Sequence, residues 1–327
     1  MKKTYLMAKT LAGLVFSAGV LSNTAVYAQD YPNRPIRMIV PYAPGGATDI
    51  IGRLVGKALT EKLGQTVIVE NRAGGNTGIG AAAVARAEPD GYTVLFTNDA
   101  TFVLNEAVFK SMPYKLEQLT PVGTVCYLNL GLAVNAEAPI NNMKELHEYT
   151  KNNPDKFAYG SFGVGSHPHF MGEIYKNITD SKVTHVPYKG SSPAVVDVVG
   201  NQILFTFPAL ATIQGHVRDN RVKVLALSGE ERSALMPDVP TFTEAGYPDL
   251  NIGSWYAFFA PAGTPEPVVE KLNQALAEIL DDPEVSKSLI AQGTAPLKMT
   301  PSEMQQRMME ETKRMKTIAE ASDISMD

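Results

Sequence analysis

Apolar positions along this chain alternate between two periodicities. The run 36–42 (IRMIVPY) is apolar and partly β-branched, which predicts a buried strand. Ile50, Ile51, Leu54, Val55, Ala58 and Leu59 then recur at helical spacing, and Gly64 supplies a stop. The alternation continues with a strand at 66–70 (TVIVE), a helix at 76–87 and a strand at 91–98 (GYTVLFTN). Strands separated by helices at this interval predict an α/β fold, with mainly parallel sheets flanked by helices on both faces.

A second series opens at 125–134 (VCYLNLGLAV) and passes through a helix at 142–152 to a strand at 157–161 (FAYGS). It continues with a helix beginning in HFMGEIYKN, a strand at 183–188, a helix at 192–200 and the runs QILFTF and VKVLAL. Pro237, Pro240 and Pro248 punctuate LMPDVPTFTEAGYPDL, which reads as a connection between domains. An apolar strand at 253–263 follows, then two amphipathic helices. Pro265 and Pro267 suit the start of the first, and Thr300, Pro301 and Glu303 form a cap with an N1 proline for the second. Two domains are expected, one from 29–124 together with 253–327 and the other from 125–252, in keeping with a chain of 327 residues.

The first 28 residues follow another logic. Lys2, Lys3 and Lys9 precede an apolar stretch from Leu11 to Leu21, and Val26-Tyr27-Ala28 ends the segment with small residues, which predicts a secretory leader cleaved after Ala28. That stretch is too short to span a bilayer, and no later one reaches the ~20 apolar residues that a spanning helix needs. A periplasmic protein without membrane insertion is expected; an uncleaved anchor is the alternative. Loss of three lysines and no acid takes the formal charge from -5 to -8, which argues against nucleic acid or an anionic membrane as partner. Cys126 is the single cysteine, so there is no intrachain disulfide and no cysteine-based metal cluster.

Candidate chemistry gathers where strands turn into helices. After the first strand, Pro44, Gly45 and Gly46 lead directly into a helix for which Thr48 is a plausible N-cap. Such a turn exposes main-chain N–H groups at the positive end of the helix dipole, and glycine permits close approach of a ligand. The motif fits an anion pocket or simply a tight connection. Gly190, Ser191 and Ser192 ahead of Pro193 repeat it, and Gly160, Gly163 and Gly165 interleave with Ser161 and Ser166 in a third turn. Loops at the carboxyl ends of parallel strands are where ligands sit in open sheets.

Other chemistries fit less well. Tyr159-Gly160-Ser161-Phe162-Gly163 misses the G-x-S-x-G nucleophile pattern at its first position; a secreted serine hydrolase using Ser161 or Ser166 with His169 remains the alternative function. His167 and His169 flank Pro168 and the other histidines are scattered, so no metal is expected. Asp49, Asp99 and Glu173 have no spacing that pairs them as acid and base. The glycines of NRAGGNTGIGAAAVARA do not spell a dinucleotide or P-loop motif, and no cofactor is expected.

The stretch YPNRPIRMIVPYAPGGATDIIGRLVGKALTEKLGQTVIVENRAGGNTGIGAAAVARAEPDGYTVLFTN resembles the opening of the Bug-type periplasmic solute-binding proteins, receptors of tripartite tricarboxylate transporters. The likeness continues in FAYGSFGVGSHPHFMGE, HVPYKGSSPAVVDVVGNQI, LMPDVPTFTEAGYPDL and SWYAFFAPAGTPEPVVEKLN, in the family's order. It implies a two-domain Venus-flytrap fold of type II-like topology, with domains joined by crossing strands. A non-enzymatic monomer of this kind closes on a small organic carboxylate and delivers it to membrane permease subunits, or docks on a signalling protein. The ligand-binding residues it implies are Tyr42, Pro44, Gly45, Gly46, Ala47, Thr48, Asp49 and Asn98 in one domain. The other contributes Ser161, Gly163, Ser166, Tyr188, Lys189, Gly190, Ser191 and Ser192, with Phe162, His169 and Phe207 shaping the distal pocket. Many relatives carry Phe-Asp where this chain has Phe207-Pro208, which implies a plain or aromatic carboxylate rather than an amino acid.

Overall fold

The computed structural model describes residues 31–154 and 156–326; the expected leader and its expected cleavage after Ala28 lie outside the described residues. The chain begins β1 (Ile36–Val40), α1 (Ala47–Leu63), β2 (Val67–Asn71), α2 (Gly78–Ala85), β3 (Thr93–Asn98), and a wide helical turn (Ala100–Leu104) then runs into the short α3 (Asn105–Val108). It continues β4 (Leu119–Leu128), β5 (Gly131–Asn135), α4 (Met143–Lys151), β6 (Ala158–Ser161), α5 (His167–Thr179), β7 (Thr184–Pro187), α6 (Ser191–Val199). The remainder is β8 (Phe205–Thr206), α7 (Leu210–Arg218), β9 (Val222–Leu227), β10 (Ser254–Pro261), α8 (Glu266–Asp281), α9 (Pro283–Ala291), β11 (Thr294–Pro296) and α10 (Pro301–Ala321).

Two sheets result. The six-stranded one runs β11-β4-β10-β3-β1-β2 and the five-stranded one β7-β6-β8-β5-β9. β1 pairs in parallel with β2 and β3, and β6 with β7 and β8, as strand–helix–strand units require. The sheets are mixed, because β10 enters antiparallel between β3 and β4, and β5 lies antiparallel to β8 and β9. The apolar run 125–134, read above as the opening of the second series, is divided between the sheets: it completes β4 and then forms β5. Both parts are interior strands, so hydropathy carries no mark at the crossing.

Where the chain crosses, the two segments are tied together. Asn129 Nδ2 donates to the carbonyl of Ser228 at 2.5 Å, the amide of Leu130 to Ser228 Oγ at 2.9 Å, and the amide of Ser228 to the carbonyl of Leu130 at 2.7 Å. Beside the crossing, Trp255 is fully buried edge-on to Phe102, with ring centroids 4.7 Å apart. Its indole N–H is satisfied by Glu311 of α10 at 2.7 Å, as a buried indole requires. α10 packs on β4 and α3 of the first unit and on α5 of the second. Its buried face uses Met304, Met308, Met315 and Ala319.

Candidate functional site

Gly46, not Thr48, is the N-cap of α1, with extended φ and ψ of -81° and 169°. The helix starts two residues earlier than a threonine cap would place it because Asp49, the third helical residue, reaches back to accept the amide of Gly45 at 2.9 Å. Thr48 is buried in the first turn and turned toward the Tyr256 hydroxyl. Gly45 holds a φ of +85°, open to glycine at little cost. Burial alone would raise the Asp49 carboxyl, but Arg53, the Gly45 amide and Asn71 outweigh it and hold it at about 2. Asp49 thus builds the loop from inside, and Gly45 spends its amide on it. Among the described residues, no protein acceptor meets the next four amides, of Gly46, Ala47, Thr48 and Asp49. These are the orphan donors of a helix start.

The second unit supplies two more helix starts. Ser166 caps α5 in extended conformation, yet its hydroxyl donates to the Gly163 carbonyl at 2.7 Å rather than accepting from the helix. α6 follows Gly190, whose φ of +128° strongly favours glycine, and the Ser191 hydroxyl is buried without a partner. Lys189 beside it is exposed. No side chain caps α1, α5 or α6.

Ser161 and His169 serve these loops rather than each other. Ser161 Oγ lies 2.6 Å from His185 Nε2, and His169 Nδ1 accepts the Gly165 amide at 3.1 Å. The two imidazoles stack with centroids 3.9 Å apart. Burial, reinforced by the neighbouring His185, lowers His169 to about 4, and burial also lowers His185, so the stacked rings are neutral near pH 7. Phe207, expected at the distal pocket, is fully buried instead and packs edge-on against Phe205 and tilted to Phe242. It flanks the two-residue β8, whose surroundings are core.

A buried polar chain links the units beneath the loops. The Tyr42 hydroxyl donates to Asn98, and Asn98 Nδ2 to Ser254 Oγ at 3.0 Å. Ser254 donates to Asp99 Oδ1 at 2.8 Å, and His167, first residue of α5, meets Asp99 Oδ2 at 2.6 Å. Burial would lower the His167 pKa, but the Asp99 charge and hydrogen bond reverse this and raise it.

Above this chain opens a cavity of about 520 Å³. Its walls are Pro41–Ala43 after β1, the loop 73–77 after β2, α3 with Phe109, and the loop before α5 with Phe162, Val164, Gly165 and Ser166. Met326, whose amide donates to the Val108 carbonyl at 3.0 Å, completes it. Of the expected residues, Tyr42, Phe162 and Ser166 line this cavity; Pro44, Gly45, Gly46, Ala47 and Thr48 continue the Tyr42 loop without lining it. Asn98, Asp49, Ser161, Gly163 and His169 hold the walls from behind, and Tyr188, Lys189, Gly190, Ser191 and Ser192 are not in its lining.

The loop 73–77, absent from the expected set, is the main addition. It repeats the first turn's logic, a glycine pair (Gly74, Gly75) between a strand and a helix, so the sequence did carry the signal. Asn76 and Thr77 share its positive φ, an outlier for a β-branched threonine. No sequence pattern marks Met326. A larger cavity of about 690 Å³ lies between β4, β11 and α10, but glutamates (Glu230, Glu231, Glu310, Glu311) outnumber arginines (Arg232, Arg307) in its lining, which disfavours an anion. Arg307 Nε donates to Glu311 Oε1 at 2.7 Å and the guanidinium lies over Tyr127 and Trp255, which makes it the weaker ligand site.

Residues 51–324 match the family described as tripartite tricarboxylate transporter family receptor. Protein BugT of Bordetella pertussis is 35% identical over 302 residues, covering 92% of each chain. Among solved structures, one described as a periplasmic transporter is 41% identical with a TM-score of 0.77, over 91% of this chain and 100% of that one. Rpa4515 of R. palustris, solved with adipate, is 30% identical with a TM-score of 0.78, over 90% and 99%. MatC (Rpa3494) of Rhodopseudomonas palustris, solved with bound malate, is 30% identical with a TM-score of 0.72, over 88% and 99%.

Proposed function

Since the chain belongs to the tripartite tricarboxylate transporter receptor family, we propose that it is a periplasmic receptor. It closes on a small organic carboxylate and presents it to the permease subunits of a tripartite tricarboxylate-type transporter, its leader having been removed after Ala28. The observation that carries this reading is the row of unpartnered amides from Gly46 to Asp49 beside a cleft between the two units. Amides at a helix start hold an anion without a buried cation. Rpa4515 and MatC, solved with adipate and malate, are relatives whose ligands are carboxylates. Closure follows if the ligand touches both units, because only a differential affinity for the closed form can drive it. No acidic side chain lines the cavity among the described residues, which supports a ligand without an amino group.

The hydrolase alternative has a weak geometry. Ser161 is fully buried, and among the described residues no carboxylate hydrogen-bonds His185 to orient it.

Ala47→Pro is the direct test. Proline is well tolerated at the first helical position, and Gly46 before it already has the extended conformation that proline demands, so the change removes one amide proton with the helix intact. A hydrogen bond to a charged group contributes about 1.5–3 kcal/mol, so affinity for the best carboxylate in a panel of adipate, malate, benzoate and hexanoate should fall roughly 10- to 100-fold. The ligand-free melting temperature should hold. Equal affinities by calorimetry, or a wild type that no carboxylate stabilises, would overturn the reading; turnover of ester or amide substrates would favour the hydrolase.

A further inference from the structure

Resting on the carboxylate reading above, we infer that Met326 is a specificity-determining residue: the segment after α10 is fastened to the first unit and places this side chain as the end wall that sets how long a ligand the site accepts.

Main-chain contacts fasten the segment. α10 ends at Ala321, and Asp323 reverses the chain with a φ of +52°. Ile324 is buried, and its amide donates to the Ala319 carbonyl at 2.9 Å. Two residues on, the Met326 amide donates to the carbonyl of Val108, the last residue of α3, at 3.0 Å. Neither bond involves a side chain, so the residue type at 326 is not what fixes the path of the backbone. That type decides instead which wall the cavity meets there.

The wall faces the other unit. An apolar stretch of the lining has Val108, Phe109 and Met326 on one side, and Phe162 and Val164 on the other, next to Gly165. A methyl group placed on Gly165 would sit 3.4 Å from Met326 Cγ and 3.4 Å from Val108 Cγ2, which is van der Waals contact. The gap there is about one methyl group wide, so a ligand chain that reaches this end stops unless the wall yields. Val108 is buried and β-branched, and the Gly165 amide is held by His169 Nδ1 at 3.1 Å. Met326, half-buried and unbranched with three rotatable bonds, is the part that can adjust. A thioether carries no charge and no N–H, so it acts by volume, and a methylene gained or lost in an apolar pocket changes affinity roughly 10- to 200-fold.

Calorimetry with straight-chain monocarboxylates and α,ω-dicarboxylates of four to ten carbons reads this wall. Wild type should show an optimum length in the series that it binds. Met326→Ala removes the thioether arm, so the optimum should move about two carbons longer, with the best wild-type ligand weakened roughly tenfold and the next longer one strengthened by a similar factor. Met326→Trp should move the optimum shorter, and Met326→Leu, which keeps the volume, should leave the order unchanged. Ligand-free melting temperatures should stay close to wild type in all three. A wild type with no optimum, or the same optimum in the alanine and tryptophan variants, overturns the inference and leaves the carboxylate reading standing. If wild type binds no carboxylate, both fall together.

Discussion

Asp49 shows how one side chain decides whether a glycine turn is a site or only a connection. As a carboxylate inside an anion-binding loop it would repel the ligand if it faced the cleft. It is buried instead against Arg53, Asn71 and the Gly45 amide, and its charge is largely neutralised there. The pKa of about 2 lies below the ordinary aspartate value of ~3.9, so this carboxyl stabilises the fold above pH ~4 and loses that contribution as pH falls toward 2. With Arg53 half-exposed and the pair screened by solvent, about 1–2 kcal/mol is the expected size. Asp49→Asn should therefore lower stability by about that amount at pH 7, and the gap to wild type in urea titrations should narrow below pH 4. A gap that stays constant from pH 7 to pH 2.5 would show that the charge is immaterial. His169 and Ser161 teach the same lesson from the other side. Their residue types suggested catalysis, but each is committed to holding a loop amide or a neighbouring imidazole.

At the scale of elements, the start of α4 is a useful contrast to the starts beside the cleft. Asn142 caps it with a side-chain oxygen, 2.9 Å from the Glu145 amide. Asn142→Ala should cost about 1 kcal/mol in urea unfolding and leave carboxylate affinity unchanged, whereas a cost near zero would mean that water replaces the cap fully. Helix α4, α1 with its Gly64 stop, and the Thr300–Glu303 box of α10 were all legible, because caps and 3.6-residue periodicity are local properties. Strand pairing was legible only in part. The parallel neighbours followed from strand–helix–strand order, but the antiparallel entry of β10 between β3 and β4 depends on contacts between residues about 125 to 165 apart in sequence that no local pattern encodes. α7 and α9 were missed: Gly215 interrupts the first, while the second carries a readable Asp282-Pro283 start. In the candidate site the glycine turns were legible from the backbone freedom they require. The apolar wall was not, because Val108, Phe109 and Met326 meet Phe162 only through the tertiary fold, and Phe207 points into the core for the same reason.

For the whole molecule, the question is what holds the two units in register beneath the cleft. The crossing strands do so covalently, and the Asp99–His167 pair adds a buried contact between the end of β3 and the start of α5. Asp99 is fixed on its other oxygen by Ser254 and by the Trp255 amide at 3.3 Å, and the Glu311 carboxyl also bears on His167. The imidazole faces negative groups on β3 and α10, and its pKa rises above the ordinary ~6.5 although burial alone would lower it. A histidine whose folded pKa is raised gives its full stabilisation below the unfolded value, near pH 6.5, and loses it as pH climbs through the folded value. His167→Gln keeps a neutral donor for Asp99 while removing the charge. Its stability deficit should be largest at pH 5.5–6.5, roughly 1–3 kcal/mol, and should shrink steadily toward pH 9. The same trend should appear in ligand-induced closure if the pair constrains how the units approach. A deficit that is flat across this range in thermal unfolding would mean that the contact works as a neutral hydrogen bond, and that the hinge region carries no pH dependence from it.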